Sequence, residues 1–222
     1  MATTSRPSSD SGSVSGSGSV PGSAPGPPPG MGLRERKKFR TRIAIRRATC
    51  RLISAQGYDA TTIEQIAEAA DVSPSTVFRY FAAKEDIVLT DVYDPAMEAA
   101  LRRRPADEPP LESFRFIMSE ALTAYLATDE DELRQRTLLM VEIPAVRARM
   151  TETMSDTAKV LARVLAERTG RGPDDLDIRV FVATVLGALR EVTLYWGEHG
   201  QKGDLLAMLD QALDTLEGGL AL

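Results

Sequence analysis

The chain is poor in the residues that build covalent and metal chemistry. Its 222 residues include one cysteine, Cys50, and one histidine, His199. A lone cysteine excludes an internal disulfide, and with a single histidine it leaves no cluster able to hold a structural zinc. There is no nucleophile elbow and no Ser-His-Asp set around His199, so the chain is not expected to be an enzyme, nor to carry a metal or cofactor. No apolar run reaches the ~18 residues of a membrane-spanning helix, and the N-terminus lacks the apolar core of a signal peptide. A reduced, cytoplasmic protein with no membrane partner is therefore expected. Aromatics make up only 5% of the chain. Valine, isoleucine and aromatics nowhere alternate with strand period, so the expected class is all-α.

Positive charge, by contrast, is gathered in one place. The net charge is −5. Between Leu33 and Thr90 there are 11 Lys/Arg against 7 Asp/Glu, whereas from Asp91 onward there are 15 against 24. Nine of those 11 basic residues lie between Arg34 and Arg51, with Glu35 the single acid among them. An acidic protein with one basic end is built to face a polyanion with that end alone.

Residues 1–31 are Ser, Gly, Pro and Ala with almost no large side chains, too little apolar surface to offset the entropy of ordering. A helix is expected from Arg34 to Gln56, with Ala44, Ala48, Leu52 and Ala55 at helical spacing and Gly57 as the stop. Its first half carries Arg40 and Arg42 among the basic residues expected to meet phosphates. A second helix starts near Thr61 or Thr62, where Thr61 with Glu64, or Thr62 with Gln65, has capping-box spacing. After the turn Ala70-Asp71-Val72, a third short helix has its start written in: Ser73 to cap and Pro74 at the first helical position. Val77 and Phe81 fall one turn apart, which leaves Ser75, Thr76, Phe78, Arg79 and Tyr80 outward. Two short helices joined by a tight turn, the second polar and aromatic outside, form a helix-turn-helix.

The run Tyr58-Asp59-Ala60-Thr61-Thr62-Ile63-Glu64-Gln65-Ile66-Ala67, then Val72-Ser73, Thr76-Val77-Phe78-Arg79-Tyr80-Phe81 and Lys84-Glu85-Asp86, resembles the TetR family of one-component regulators. The similarity covers about Arg40 to Leu89. It implies a three-helix DNA-binding domain over 32–90 and a helical ligand-binding and dimerisation domain over 91–222. Asp71 stands where the family has glycine and must take a turn conformation glycine adopts more easily. By the resemblance, and by their outward positions, Pro74, Ser75, Thr76 and Arg79 are expected at base edges. Arg79, with its bidentate fork, is the expected guanine reader. Thr61, Thr62, Tyr80 and Lys84 are expected at phosphates. Ser73 and Phe78 complete the expected DNA-binding set, although Phe78 lacks the hydroxyl of the family's usual tyrosine.

Downstream, a fourth helix from Lys84 toward Leu101 is interrupted or kinked at Pro95. Further helices are expected over Leu111–Ala127, Glu130–Glu142, Pro144–Thr169, Asp174–Glu198 and Asp204–Glu217. Tyr93, Met97, Phe114, Met118, Leu122, Met150, Met154 and Phe181 are candidates for a ligand chamber, since methionine adapts to irregular shapes. The stretch from Leu101 to Leu111 is similar to a TetR subgroup that senses acyl-CoA-like compounds, in which Arg102 to Arg104 would meet a phosphate-bearing portion. Val185, Leu189, Val192 and Trp196 continue a seam with steps of three and four, as do Leu205, Leu209, Ala212 and Leu216. The family dimerises through its last two helices, and these eight residues are the expected interface. The functional expectation is a dimeric regulator, most simply a repressor released from a palindromic double-stranded DNA operator by a small apolar or acyl-CoA-like effector. A ligand-independent DNA-binding or activator protein, and an enzyme acting on the bound molecule, are the alternatives.

Overall fold

Capping chemistry fixes the starts of the two short helices of the helix-turn-helix. The computed structural model describes residues 32–89 and 94–220, apart from the side chains at 94–96 and 128. The N-terminal tail (1–31) and Tyr93 therefore lie outside the described residues. Helix α1, Leu33–Gln56, ends at Gly57, whose φ of 88° only glycine adopts without strain. Helix α2, Ile63–Ala69, is capped by Thr62, whose hydroxyl accepts from Gln65 N while the Gln65 side chain accepts from Thr62 N. Of the two capping boxes open to the sequence, this is the one formed. Helix α3, Pro74–Tyr80, has Ser73 as its cap, accepting from Thr76 N at 3.2 Å. Asp71 does take the left-handed turn, at φ 54°.

Helix α4 spans Lys84–Leu89 and α5 spans Asp94–Arg103; residues 90–93 between them lie outside the described residues. The two helices expected over Leu111–Ala127 and Glu130–Glu142 are the two arms of α6, Pro110–Glu142, which meet at the non-helical Asp129, where φ is −157° and ψ 46°. Helix α7, Pro144–Thr169, stops at Gly170 in the left-handed conformation. Asp175 and Asp204 cap α8, Leu176–Glu198, and α9, Leu205–Glu217. Among the described residues there is no strand, and no helix is long and apolar enough to cross a membrane.

The apolar faces meet in layers. Ile45, Ile66, Ala67, Val77, Phe81 and Ile87 close the three-helix unit under the helix-turn-helix. Leu101, Phe114, Ile117, Val164 and Val185 knit α5 to α6, α7 and α8. Between them a third cluster joins Cys50 and Ile53 of α1 and Val88 and Leu89 of α4 to Leu139, Met140, Met150 and Leu194. The two halves thus share a core rather than hang on a linker. Helices α6 and α8 cross closely at Gly197, where a Cβ would lie 2.6 Å from Val141 Cγ2.

Candidate DNA-binding and ligand-binding sites

The outward face of α3 is polar and open. Pro74, Ser75, Phe78 and Arg79 are exposed, Phe78 by 57%. The hydroxyls of Ser75 and Thr76 each lie 2.9 Å from the Ser73 hydroxyl, which orients all three at the helix start. Arg79 Nη2 reaches Thr76 Oγ1 only at 3.5 Å, and its guanidinium lies 5.3 Å from the Tyr80 ring. Among the described residues nothing charged pairs with that fork, so it is available to a base edge. Arg40 is exposed on α1 with its basic neighbours, and Thr62 is exposed at its cap.

Four expected phosphate contacts have other partners. Thr61 is buried and donates to Gly57 O at 2.8 Å, closing the α1–α2 turn. Lys84 Nζ donates to Tyr58 O at 2.6 Å and Thr61 O at 2.8 Å, and sits 3.8 Å from the Tyr58 ring centroid. Its charge braces that turn. Tyr80 is half-buried against the three-helix core. Arg42 turns inward, its guanidinium 5.6 Å from the Phe81 ring centroid. Helical spacing placed these residues on a face; it did not say which neighbour that face would meet.

Arg42, Tyr80 and Phe81 instead line a cavity of about 820 Å³ that continues between α4, α5, α6, α7 and α8. Of the expected ligand residues, Met97, Phe114, Met118, Met150 and Met154 line it. Leu122 and Phe181 do not; Phe181 packs edge-on against Phe114, with ring centroids 5.7 Å apart. Arg102 and Arg104 also lie off the cavity. Arg102 pairs with Glu98 and Glu167, while Arg104 pairs with Glu108 and stacks 3.9 Å over the Phe116 ring.

The sequence reading missed a buried charge cluster that ties the halves together. Arg46 of α1 has no exposed surface and pairs with Glu132 of α6. Arg47 donates to Glu132 at 3.2 Å and to Asp129, the kinked residue. Arg136 donates to the carbonyls of Val88 and Leu89 at the end of α4, and to the Tyr125 hydroxyl at 3.0 Å. Burial, with the neighbouring Glu132 carboxylate, pushes Asp129 up to about 6. Burial, the largest single influence, works to raise Glu132, but Arg46, the hydrogen bond with Asp129 and Arg136 together outweigh it and hold Glu132 below the ordinary glutamate value. Burial raises the Cys50 thiol to about 11, which keeps it protonated and inert.

The seam expected to dimerise is internal. Val185, Trp196, Leu205 and Leu209 are buried within the single chain, and Leu189 and Leu216 pack on the Leu101–Phe114 cluster. Val192 and Ala212 are half-buried. Coiled-coil spacing identifies an apolar stripe, and here the chain's own helices cover most of it, α6 and α7 over α8, and α6 and α8 over α9. The outward face of α8 carries Leu176, Val180 and Tyr195, 72%, 55% and 49% exposed, with Ala183 and Gly187 between them.

A helix-turn-helix with an open polar face, joined through a common core to a helical domain with a cavity, matches known proteins along most of its length. The family model of bacterial regulatory proteins of the tetR family matches residues 45–90, and that of the MftR C-terminal domain matches residues 108–221. The chain belongs to the TetR family. A TetR-family relative, the HTH-type transcriptional regulator TcmR of Streptomyces glaucescens, is 37% identical over 196 residues, covering 83% of this chain and 86% of that one. Among solved TetR-fold structures, FadR from Bacillus subtilis in complex with stearoyl-CoA is 25% identical at a TM-score of 0.50, covering 78% of this chain and 96% of the other. FadR from Thermus thermophilus in complex with lauroyl-CoA is 25% identical at a TM-score of 0.51, covering 82% and 95%.

Proposed function

We propose that this TetR-family regulator is a two-fold dimer that binds a palindromic operator through α1 and α3 and leaves it when a small apolar or acyl-CoA-like effector fills the cavity. The observation that carries the proposal is the reach of the cavity, whose wall includes Arg42 of α1 and Tyr80 and Phe81 at the end of the recognition helix as well as α5 to α8. A ligand there touches both halves at once. If it prefers one arrangement of α1 and α3, it shifts the population away from the DNA-binding arrangement, and a coupling of ~1–3 kcal/mol changes occupancy from several-fold to about a hundredfold. At about 820 Å³ the cavity also falls within the size range of small-molecule sites.

The DNA face in this proposal is Arg40 and its basic neighbours for phosphates, with Pro74, Ser75, Thr76 and Arg79 for bases. Two copies related by the exposed face of α8 would set the recognition helices on successive major grooves, roughly 34 Å apart. Leu176, Val180 and Tyr195 then anchor the contact, and Ala183 and Gly187 allow close approach. The complexes of the FadR proteins with acyl-CoA support the choice of effector class. The test is binding to a duplex carrying the inverted repeat upstream of the protein's own gene, followed over a range of salt. Affinity should fall steeply with salt. A flat response would remove the phosphate contacts, and with them the proposal.

A further inference from the structure

The cavity wall is balanced in charge. Four arginines line it, Arg42, Arg136, Arg149 and Arg190, and so do four carboxylates, Asp86, Glu98, Glu152 and Asp156. Nearly all have partners. Arg149 holds Asp86 at 2.8 Å and also Glu152. Glu98 pairs with Arg102 at 2.6 Å and Asp156 with Lys159 at 2.9 Å. Arg136 is fixed by the Val88 and Leu89 carbonyls, and Arg190 lies 3.9 Å from Glu191.

Arg42 differs. Among the described residues its guanidinium meets no carboxylate, and its Nε is buried with no hydrogen-bond partner. That nitrogen is closed to the cavity, but Arg42 itself lines it, and a guanidinium with no counter-charge donates charge-assisted hydrogen bonds to an anionic ligand. The wall also carries an apolar set, Met118, Ile117, Phe114, Leu101, Leu161 and Leu186.

From these two features we infer that the effector is an amphiphile with a single anionic group, a carboxylate held by Arg42, and an apolar body directed toward Phe114 and Leu101. This narrows the effector class proposed above and rests on the cavity being the effector site. A polyanionic head such as that of coenzyme A does not match the wall, because its carboxylates are already neutralised by their own cations and, among the described residues, Arg42 alone is left to meet added negative charge. The arginines at 102 and 104, which would have met its phosphates, are paired with their own acids away from the cavity. The carboxylate is also well placed to act on DNA binding. Arg42 packs over Phe81, the residue that ends α3, so an anion that draws Arg42 acts one contact away from the recognition helix.

The experiment is calorimetric titration of the full chain with free carboxylates from octanoate to palmitate, their methyl esters and lauroyl-CoA, all below their micelle-forming concentrations. The acids should bind saturably and about tenfold more tightly than their esters. Arg42→Gln should abolish that preference, bringing acid and ester to the same affinity, and Arg42→Lys, which keeps the charge, should retain part of it. Equal affinity for acid and ester in the unaltered protein would overturn the inference whether or not Arg42→Gln folds. So would tighter binding of lauroyl-CoA than of laurate, or no saturable binding of any acid. Failure of the regulator reading shows separately, as absence of operator binding by the ligand-free protein.

Discussion

Glu132→Gln removes a negative charge from beside Arg46 while keeping the side chain's shape. The guanidinium has no exposed surface, and its Nη1 and Nη2 already have no hydrogen-bond partner. Glu132 is the carboxylate paired with Arg46, and it also accepts from Arg47 at 3.2 Å. Neutralising it leaves a buried cation without its counter-charge, which costs about 3–5 kcal/mol. Against a total stability of ~5–15 kcal/mol this is a large share, and it lowers the melting temperature by roughly 6–20 °C. Urea unfolding at one fixed protein concentration measures it, which holds any self-association equal between variants. The paired change Arg46→Met with Glu132→Leu is the control: removing both charges should be far milder than removing one, within about 1 kcal/mol of the original or better. A loss below ~1 kcal/mol for Glu132→Gln, or an equally large loss for the apolar pair, would refute the reasoning.

Two other changes probe the same region. Gly197→Ala adds a Cβ 2.6 Å from Val141 Cγ2 and 2.9 Å from Thr137 Cγ2, so α8 must shift from α6. It should cost about 1–3 kcal/mol in thermal unfolding despite alanine's better helix propensity, and an unchanged melting temperature would contradict the close crossing. Asp129 binds its proton more tightly in the folded chain than in the unfolded one, so between about 3.8 and about 6 its contribution to stability falls as pH rises. Glu132, held low by Arg46, acts the opposite way at more acidic pH, where its contribution is lost as pH falls. Asp129→Asn should therefore flatten the pH dependence of the urea midpoint over the upper window, by roughly 1 kcal/mol or less after solvent screening. An unaltered profile would remove Asp129 as the cause.

Local chemistry made much of this fold legible. Ser73-Pro74 announced α3, Thr62 with Gln65 announced α2, and Pro144 and Gly170 bracketed α7, because caps and breakers act within a few residues of chain. What was hidden depends on partners far away in sequence. Arg46 and Arg47 read as part of a basic run, yet their carboxylates lie more than 80 residues on, in α6. Arg42 had the same local setting as Arg40, but one faces the cavity and the other solvent. The break expected between Ala127 and Glu130 is there, at Asp129; what was hidden is that this residue's carboxylate meets Arg47. The α8 seam was correctly apolar and wrongly directed, since periodicity reports that a face is covered and not by what.

The central claim is that α3 reads DNA sequence, and Arg79→Ala tests it most directly. Its guanidinium is exposed and has no ion-pair partner among the described residues, so the substitution leaves the core untouched. Fluorescence anisotropy on the operator duplex and on a scrambled duplex of equal length, at one salt concentration, separates base reading from phosphate attraction. The account predicts a loss of ~1–3 kcal/mol on the operator and almost none on the scrambled duplex. An equal loss on both duplexes, or no loss on either, would contradict it.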